Sequence, residues 1–97
     1  MSEFGVLVKI DVLPGKMDEL RSHFKDFHQY VLQEHGLVYR KAMLDADDPL
    51  RIVIFELWQS QQDFENHLAS EHCKKFVEVI RGTYGPDGFI KSLIPFF

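Results

Sequence analysis

The chain has 97 residues, of which 45% are hydrophobic, and a formal charge of -4 from 15 acidic and 11 basic residues. A chain of this length buries one hydrophobic core, so we expect a single domain over residues 1–97. The acidic balance argues against nucleic acid as a partner, and no apolar run approaches the roughly 20 residues of a membrane helix, so we expect a cytoplasmic protein.

The first predicted element is a β-strand over residues 4–12, where apolar and β-branched residues alternate with a period of two. Its repeated face consists of Phe4, Val6, Val8, Ile10 and Val12. A turn at Pro14-Gly15 separates this strand from a helix that we predict to end at Gly36. Apolar residues recur in the helix at spacings of three and four: Met17, Leu20, Phe24, Phe27 and Val31.

Two more strands, over residues 37–44 and 50–58, are predicted to form a hairpin around the acidic turn DADDP. Ser60 and Asp63 have the spacing of a helix cap, and Ser70 restarts the helix before a second apolar stripe over residues 73–80. A last strand is predicted within FIKSLIPFF. The order β-α-β-β-α-β is that of an α+β, ferredoxin-like fold, in which an antiparallel sheet carries its helices on one face.

The third predicted strand is apolar on both of its faces. Ile52 and Ile54 lie on one face, and Val53, Phe55 and Leu57 lie on the other. In a monomer, the face without helices would expose a large apolar surface. We therefore predict a homodimer packed sheet to sheet, with SLIPFF reaching across the interface.

Three residues near the end of this strand suggest a pocket. Glu56 and Trp58 are two residues apart on a strand, so they point to the same face. A helix that packs back over that face would bring His67 close to both, which places an acid, an imidazole and an indole donor among apolar side chains. The same pattern also fits a structural role, with Trp58 in the core and Glu56 in an ion pair.

Other polar residues are weaker candidates. Tyr39, Arg40 and Arg51 have the chemistry to bind a phenolic or phosphorylated ligand. His67 and His72 are five residues apart, which rotates them away from each other on a helix, so we expect no metal site. Cys73 falls on an apolar stripe, which favours a buried hydrophobic role, and we find no nucleotide, flavin or nucleophile motif and expect no cofactor.

The segments VLPGKMDELRSHF, EHGLVYR and DDPLRIVIFELWQSQQDFENHLASEH resemble, in their order and spacing, the antibiotic biosynthesis monooxygenase family. The resemblance covers about residues 4 to 81. It implies a dimeric α/β barrel of two ferredoxin-like protomers and a monooxygenase that oxidises quinols or anthrones with dioxygen, without metal, flavin or haem. The family motif falls on Glu56, Trp58, His67 and His72, with Ser70 beside them.

The resemblance implies roles for these residues. His67, assisted by Glu56, would remove a phenolic proton, Trp58 would stack on the substrate or donate a hydrogen bond, and Tyr39 would hold a ring oxygen. The same family includes an isomerase of phosphorylated autoinducer-2, which here would need Arg40, Lys41 or Arg51 to bind phosphate. A dimeric module that binds a small aromatic compound without converting it is the third alternative.

Overall fold

The computed structural model describes residues 2–97. Its elements are, in chain order, β1 (Phe4–Asp11), α1 (Met17–Val31), β2 (Leu37–Asp45), β3 (Asp48–Trp58), α2 (Gln61–Ala69), α3 (Glu71–Val79) and β4 (Phe89–Leu93). The four strands form one antiparallel sheet in the order β2-β3-β1-β4. The predicted ferredoxin-like α+β fold is confirmed.

The core lies between one face of the sheet and the three helices, in two clusters. One cluster joins β1 and β3 to all three helices through Phe4, Val6, Phe27, Val31, Trp58, Phe64 and Cys73. The other joins the far ends of the same strands to α1 and to the end of α3 through Val12, Leu20, Phe24, Ile52, Ile54 and Ile80. The apolar residues that alternate along the strands therefore pack against the apolar stripes of the helices, and together they form the core.

Serine caps divide the second helical segment in two. The Ser60 hydroxyl accepts a hydrogen bond from the Asp63 backbone N–H at the start of α2, and the Ser70 hydroxyl accepts one from Cys73 at the start of α3. Ser70 has extended backbone angles, so the helix breaks there and restarts, as the sequence indicates. The break leaves His67 in the last turn of α2, on its buried side.

The boundaries of three elements differ from the predicted ones. Helix α1 ends at Val31 rather than at Gly36, because tight turns follow in which backbone N–H groups bond carbonyls three residues earlier. The hairpin turn is shorter than DADDP, since Asp45 already pairs with Asp48. The last strand stops at Leu93, two residues before Pro95, which has no N–H group for a ladder.

Gly36 closes the connection between α1 and β2. Its φ angle is +88°, and a Cβ atom placed there would lie 2.3 Å from the Asp63 side chain. A glycine is therefore required both by the backbone and by the close approach of α2. Glu34, two residues earlier, contacts His67 in the last turn of the same helix.

The other face of the sheet has no helix over it in the part of the chain that the structure describes. It presents half-buried Phe55 and Leu57 beside Tyr39 and Met43, which are 51% and 60% exposed. Beyond β4, Phe96 and Phe97 project outward with exposures of 91% and 108%. No helix within residues 2–97 is long and apolar enough to cross a membrane.

Candidate functional site

A cavity of about 350 Å³ lies between the helix-covered face of the sheet and helices α1, α2 and α3. Most of its wall is apolar, and aromatic residues contribute much of it: Phe24, Phe27, Phe64 and Phe76. Arg40, Glu56 and His67 provide charged or polar groups in the same wall. A volume of this size suits a small aromatic molecule.

Glu56 and Arg40 form an ion pair on adjacent strands. They are direct partners in the β2–β3 register, and the Arg40 Nε atom donates to Glu56 Oε2 at 2.9 Å. Glu56 is 4% exposed and Arg40 is 7% exposed, so both charges are removed from water and depend on each other.

A bulge in β2 selects which residue meets Glu56. Leu37 pairs with Trp58, but the register then shifts so that Tyr39 pairs with Leu57 and Arg40 pairs with Glu56. The extra residue turns Tyr39 to the face without helices and Arg40 to the cavity side. A regular strand would have placed Tyr39 opposite Glu56.

Trp58 holds the second oxygen of Glu56. Its indole N–H donates to Glu56 Oε1 at 3.1 Å, and its side chain is fully buried. Trp58 does not belong to the wall of the cavity. It therefore positions Glu56 from within the core, and the stacking on a substrate implied by the resemblance is not available in this arrangement.

His67 pairs with an acid that the sequence did not single out. Its Nδ1 atom lies 2.5 Å from Glu34 Oε1, and its ring centre lies 5.0 Å from that of Trp58. With the Nδ1 proton donated to Glu34, the Nε2 atom carries the free lone pair. The only hydrogen bond of the His67 ring within residues 2–97 is made by Nδ1, and the histidine belongs to the cavity wall.

His28 contacts Arg40 from α1. The Arg40 Nη1 group donates to His28 Nδ1, and the guanidinium carbon lies 5.5 Å from the Phe24 ring centre and 6.0 Å from that of Phe27. Partial burial and the positive charge of Arg40 lower the pKa of His28 below its ordinary value of 6.5. Neutral His28 can thus accept the hydrogen bond that fixes Arg40.

Two of the residues predicted to bind substrate lie outside this site. Tyr39 is on the opposite face of the sheet, where it packs near Phe55. Arg51 is on that face too; its pKa is raised, above all by the hydrogen bond to Asp11 at 3.1 Å. Neither side chain reaches the cavity, because strand alternation points each of them away from it.

His72 also lies away from the cavity. It is exposed and stacks on Tyr30 with 3.7 Å between ring centres, since the helix break at Ser70 sets it on a different helix from His67. The structure therefore brings together His67, Glu56, Trp58 and Arg40, and separates His72 from them.

Glu34 and His28 were missed by the sequence reasoning. Glu34 comes 33 residues before His67 and sits in a turn, and no periodic pattern relates a turn residue to a helix so far along the chain. His28 lies off the apolar stripe of α1, so helical periodicity gives it no place in the core. The one available signal was the spacing of His28 four residues after Phe24, which places it beside the buried side of the helix.

Cys73 lines the cavity but has the properties of a buried thiol. Burial raises its pKa, with smaller contributions from the negative charges of Glu34 and Glu56. Among residues 2–97, no cluster of three or more His, Cys, Asp or Glu side chains is placed to hold a metal ion.

An antiparallel sheet covered on one face, with an apolar cavity that contains a histidine and a buried ion pair, defines a ferredoxin-like protein with a small-molecule pocket. The sequence model of the antibiotic biosynthesis monooxygenase family matches residues 3–79, so the chain belongs to this family. No curated protein matches the chain in a sequence comparison.

Solved structures share the fold closely at low sequence identity. Rv0793 from Mycobacterium tuberculosis has a TM-score of 0.90 at 19% identity, covering 99% of this chain and 97% of that one. A conserved protein from Methanosarcina mazei has a TM-score of 0.89 at 20% identity, with 96% and 92% coverage. A variant of SnoaB, a cofactor-independent oxygenase from Streptomyces nogalater, has a TM-score of 0.85 at 14% identity, with 100% and 96% coverage.

Replacing Arg40 with Met should destabilise the protein strongly, because it leaves the Glu56 carboxylate buried without its counter-charge. We expect Arg40→Met to lower the free energy of unfolding by roughly 3 kcal/mol. Adding Glu56→Gln removes the orphaned charge and keeps an acceptor for Trp58, so the double variant should recover more than half of that loss. Urea unfolding of the four proteins in the mutant cycle measures both effects; strictly additive losses would contradict the pairing.

His28 should make the protein sensitive to mild acid. Its pKa is lower in the folded than in the unfolded chain, so the unfolded state binds more protons and stability falls as pH drops below about 6.5. Compared with the parent protein, His28→Gln should lose less stability over this range. His23→Gln, which changes an exposed histidine of the same helix, is the matched control; equal pH profiles for all three proteins would exclude His28.

Proposed function

We propose that the protein is a cofactor-independent monooxygenase that oxidises a small aromatic compound of the quinol or anthrone type with dioxygen. The observation that carries this proposal is the position of His67, which lies in the wall of an apolar cavity with its Nδ1 atom paired to Glu34. Membership of the monooxygenase family and the likeness to a cofactor-independent oxygenase support it.

His67 is the base in this proposal. Glu34 fixes the imidazole ring through Nδ1, so Nε2 points its lone pair at the phenolic or benzylic proton of the substrate. The negative charge of Glu34 stabilises the imidazolium that forms, as the acid does in other acid-histidine pairs. Glu34 thus acts through His67 and is a positioning residue.

Glu56 has a different role from the one implied by the resemblance. Both of its oxygens are occupied, one by Arg40 and one by Trp58, and neither bonds His67. Glu56 therefore holds Arg40 and Trp58 in place and shapes the polar side of the cavity, while the proton goes to His67.

The reaction conserves atoms and electrons without a further reductant. The deprotonated, electron-rich substrate passes one electron to dioxygen, and the resulting organic radical and superoxide combine to form a carbon–oxygen bond. The peroxide takes a proton back from His67 and loses water, which leaves a carbonyl group. One oxygen atom enters the product, the other leaves in water, and the two hydrogens come from the substrate. The apolar wall keeps bulk water from the anion.

The test is oxygen uptake by the purified protein with a panel of quinols and anthrones. We expect His67→Gln to slow uptake by about a hundredfold or more, the contribution typical of a positioned base. Glu34→Gln, which keeps a hydrogen-bond acceptor but removes the charge, should slow it less. His23→Gln, an exposed histidine outside the site, should leave the rate unchanged.

Three results would decide against this function. Full uptake in His67→Gln would remove His67 from the mechanism. Product formation that continues without dioxygen would favour the isomerase alternative, for which a basic cavity lined by Arg21, Lys25 and Arg40 offers a phosphate site. A ligand-induced rise in melting temperature with no product by mass spectrometry would favour a binding module.

We further propose that the protein is a homodimer joined through the sheet face without helices. Phe55 and Leu57 in the centre of that face lie near exposed Tyr39, Met43 and Leu93, and apolar residues grouped in this way are typical of a surface that a partner covers. A second copy is the simplest partner, since the same face then meets itself about a two-fold axis. The projecting C-terminal residues Ile94–Phe97 would extend this interface.

The dimer predicts a sedimentation mass near twice the 11.4 kDa of one chain. Phe55→Lys places a charge in the centre of the face and should shift the mass to that of a monomer. Val79→Lys adds the same charge at an exposed apolar position of α3 and should leave the dimer intact. A single-chain mass for the unmodified protein at micromolar concentration would rule out this assembly.

A further inference from the structure

A second cavity, of about 480 Å³, lies between α1 and the outer edge of β2. Its lining differs sharply from that of the first cavity because it is rich in cationic groups. The basic side chains in its wall are Arg21, Lys25, His28, Arg40 and Lys41. The remaining wall is apolar and consists of Phe24, Leu32 and Ala42.

The positive charge of this cavity is not balanced by neighbouring acids. The chain has 15 acidic and 11 basic residues, yet no carboxylate of residues 2–97 lines the cavity. Arg21 and Lys25 take part in no ion pair within the described chain. These two side chains therefore carry net positive charge at one place on an acidic protein.

The arrangement of these cations opposes helix stability. Arg21 and Lys25 are four residues apart on α1, the spacing at which like charges repel each other. An anion bound between Arg21 and Lys25 relieves the repulsion and forms charge-assisted hydrogen bonds. Lys41 also lines the cavity, but it pairs with Phe55 in the β2–β3 register, so its side chain points to the sheet face without helices.

The two cavities meet at a common wall. Phe24 and Arg40 belong to the linings of both, so a ligand in the first cavity lies one side chain away from the cations of the second. Arg40 itself is neutralised by Glu56, which leaves Arg21 and Lys25 to provide the net charge.

We propose that the second cavity is a subsite for the anionic group, a carboxylate or a phosphate, of an aromatic ligand whose ring lies in the first cavity. The inference deepens the proposed function and rests on it for the position of the ring. It names the substrate class: an aromatic compound with an acidic substituent. Arg21 and Lys25 are specificity-determining residues in this arrangement, and they do not take part in the proton transfer.

The experiment compares two inert ligands of equal shape, 2-naphthoate and 2-naphthamide, by calorimetry under nitrogen. They differ by one negative charge, and neither requires turnover. We expect the parent protein to bind the carboxylate about tenfold more tightly than the amide, with a preference that falls as salt is raised. The double variant Arg21→Met/Lys25→Met should lose this preference and keep its affinity for the amide.

A matched control removes two positive charges from a different helix. Lys74→Met/Lys75→Met changes two exposed lysines of α3 that line neither cavity, and it should retain the preference for the carboxylate. 2-Naphthyl phosphate, tested alongside, shows which of the two anionic groups is favoured. Equal melting temperatures of the two double variants establish that the charge change leaves the fold intact.

The outcomes separate this inference from the proposed function. A carboxylate preference that depends on Arg21 and Lys25 supports the subsite even if no quinol is oxidised. Equal binding of acid and amide, no binding of the acid, or an equal loss in the Lys74/Lys75 control overturns the subsite, even if neutral quinols are oxidised.

Discussion

The buried ion pair of Arg40 and Glu56 is the constraint on which the rest of the site depends. Two charges removed from water must satisfy each other and find further hydrogen bonds, or the fold loses several kcal/mol. Glu56 meets this requirement with Arg40 on one oxygen and Trp58 on the other. Arg40 meets it with Glu56 and His28. The pair therefore connects the sheet to the helices, because Trp58 belongs to the sheet and His28 belongs to α1.

This constraint assigns different tasks to the two acids near the cavity. Glu56 is committed to the ion pair and to the indole, so it cannot also orient the histidine. Glu34 does so from the turn after α1, where Gly36 allows the close approach to α2. Glu56 thus has a structural role and Glu34 an orienting one, and each acid has partners that exclude the other role.

The sequence predicted the parts of the molecule that follow from periodicity. Alternation in β1 and β3, the apolar stripe of α1 and the serine at the α2–α3 break are local patterns, and local physics determines them. The bulge at Leu37/Tyr39 is not local, because it depends on the register between two strands. As a result of the bulge, Arg40 rather than Tyr39 points to the cavity. Likewise, the contact between Glu34 and His67 depends on how a turn and a helix meet in space.

The ion pair with Glu56 explains why Arg40 can line both cavities without binding an anion by itself. Its pairing with Glu56 cancels its charge, so an anion near it gains little from Arg40 alone. The attraction must come from Arg21 and Lys25, which take part in no ion pair within the described chain and are exposed. A single exposed cation binds an anion weakly, whereas cations that contact the same anionic group together bind it more tightly. The apolar pocket then provides affinity for a ring, and the basic rim provides selection between an acid and its neutral analogue.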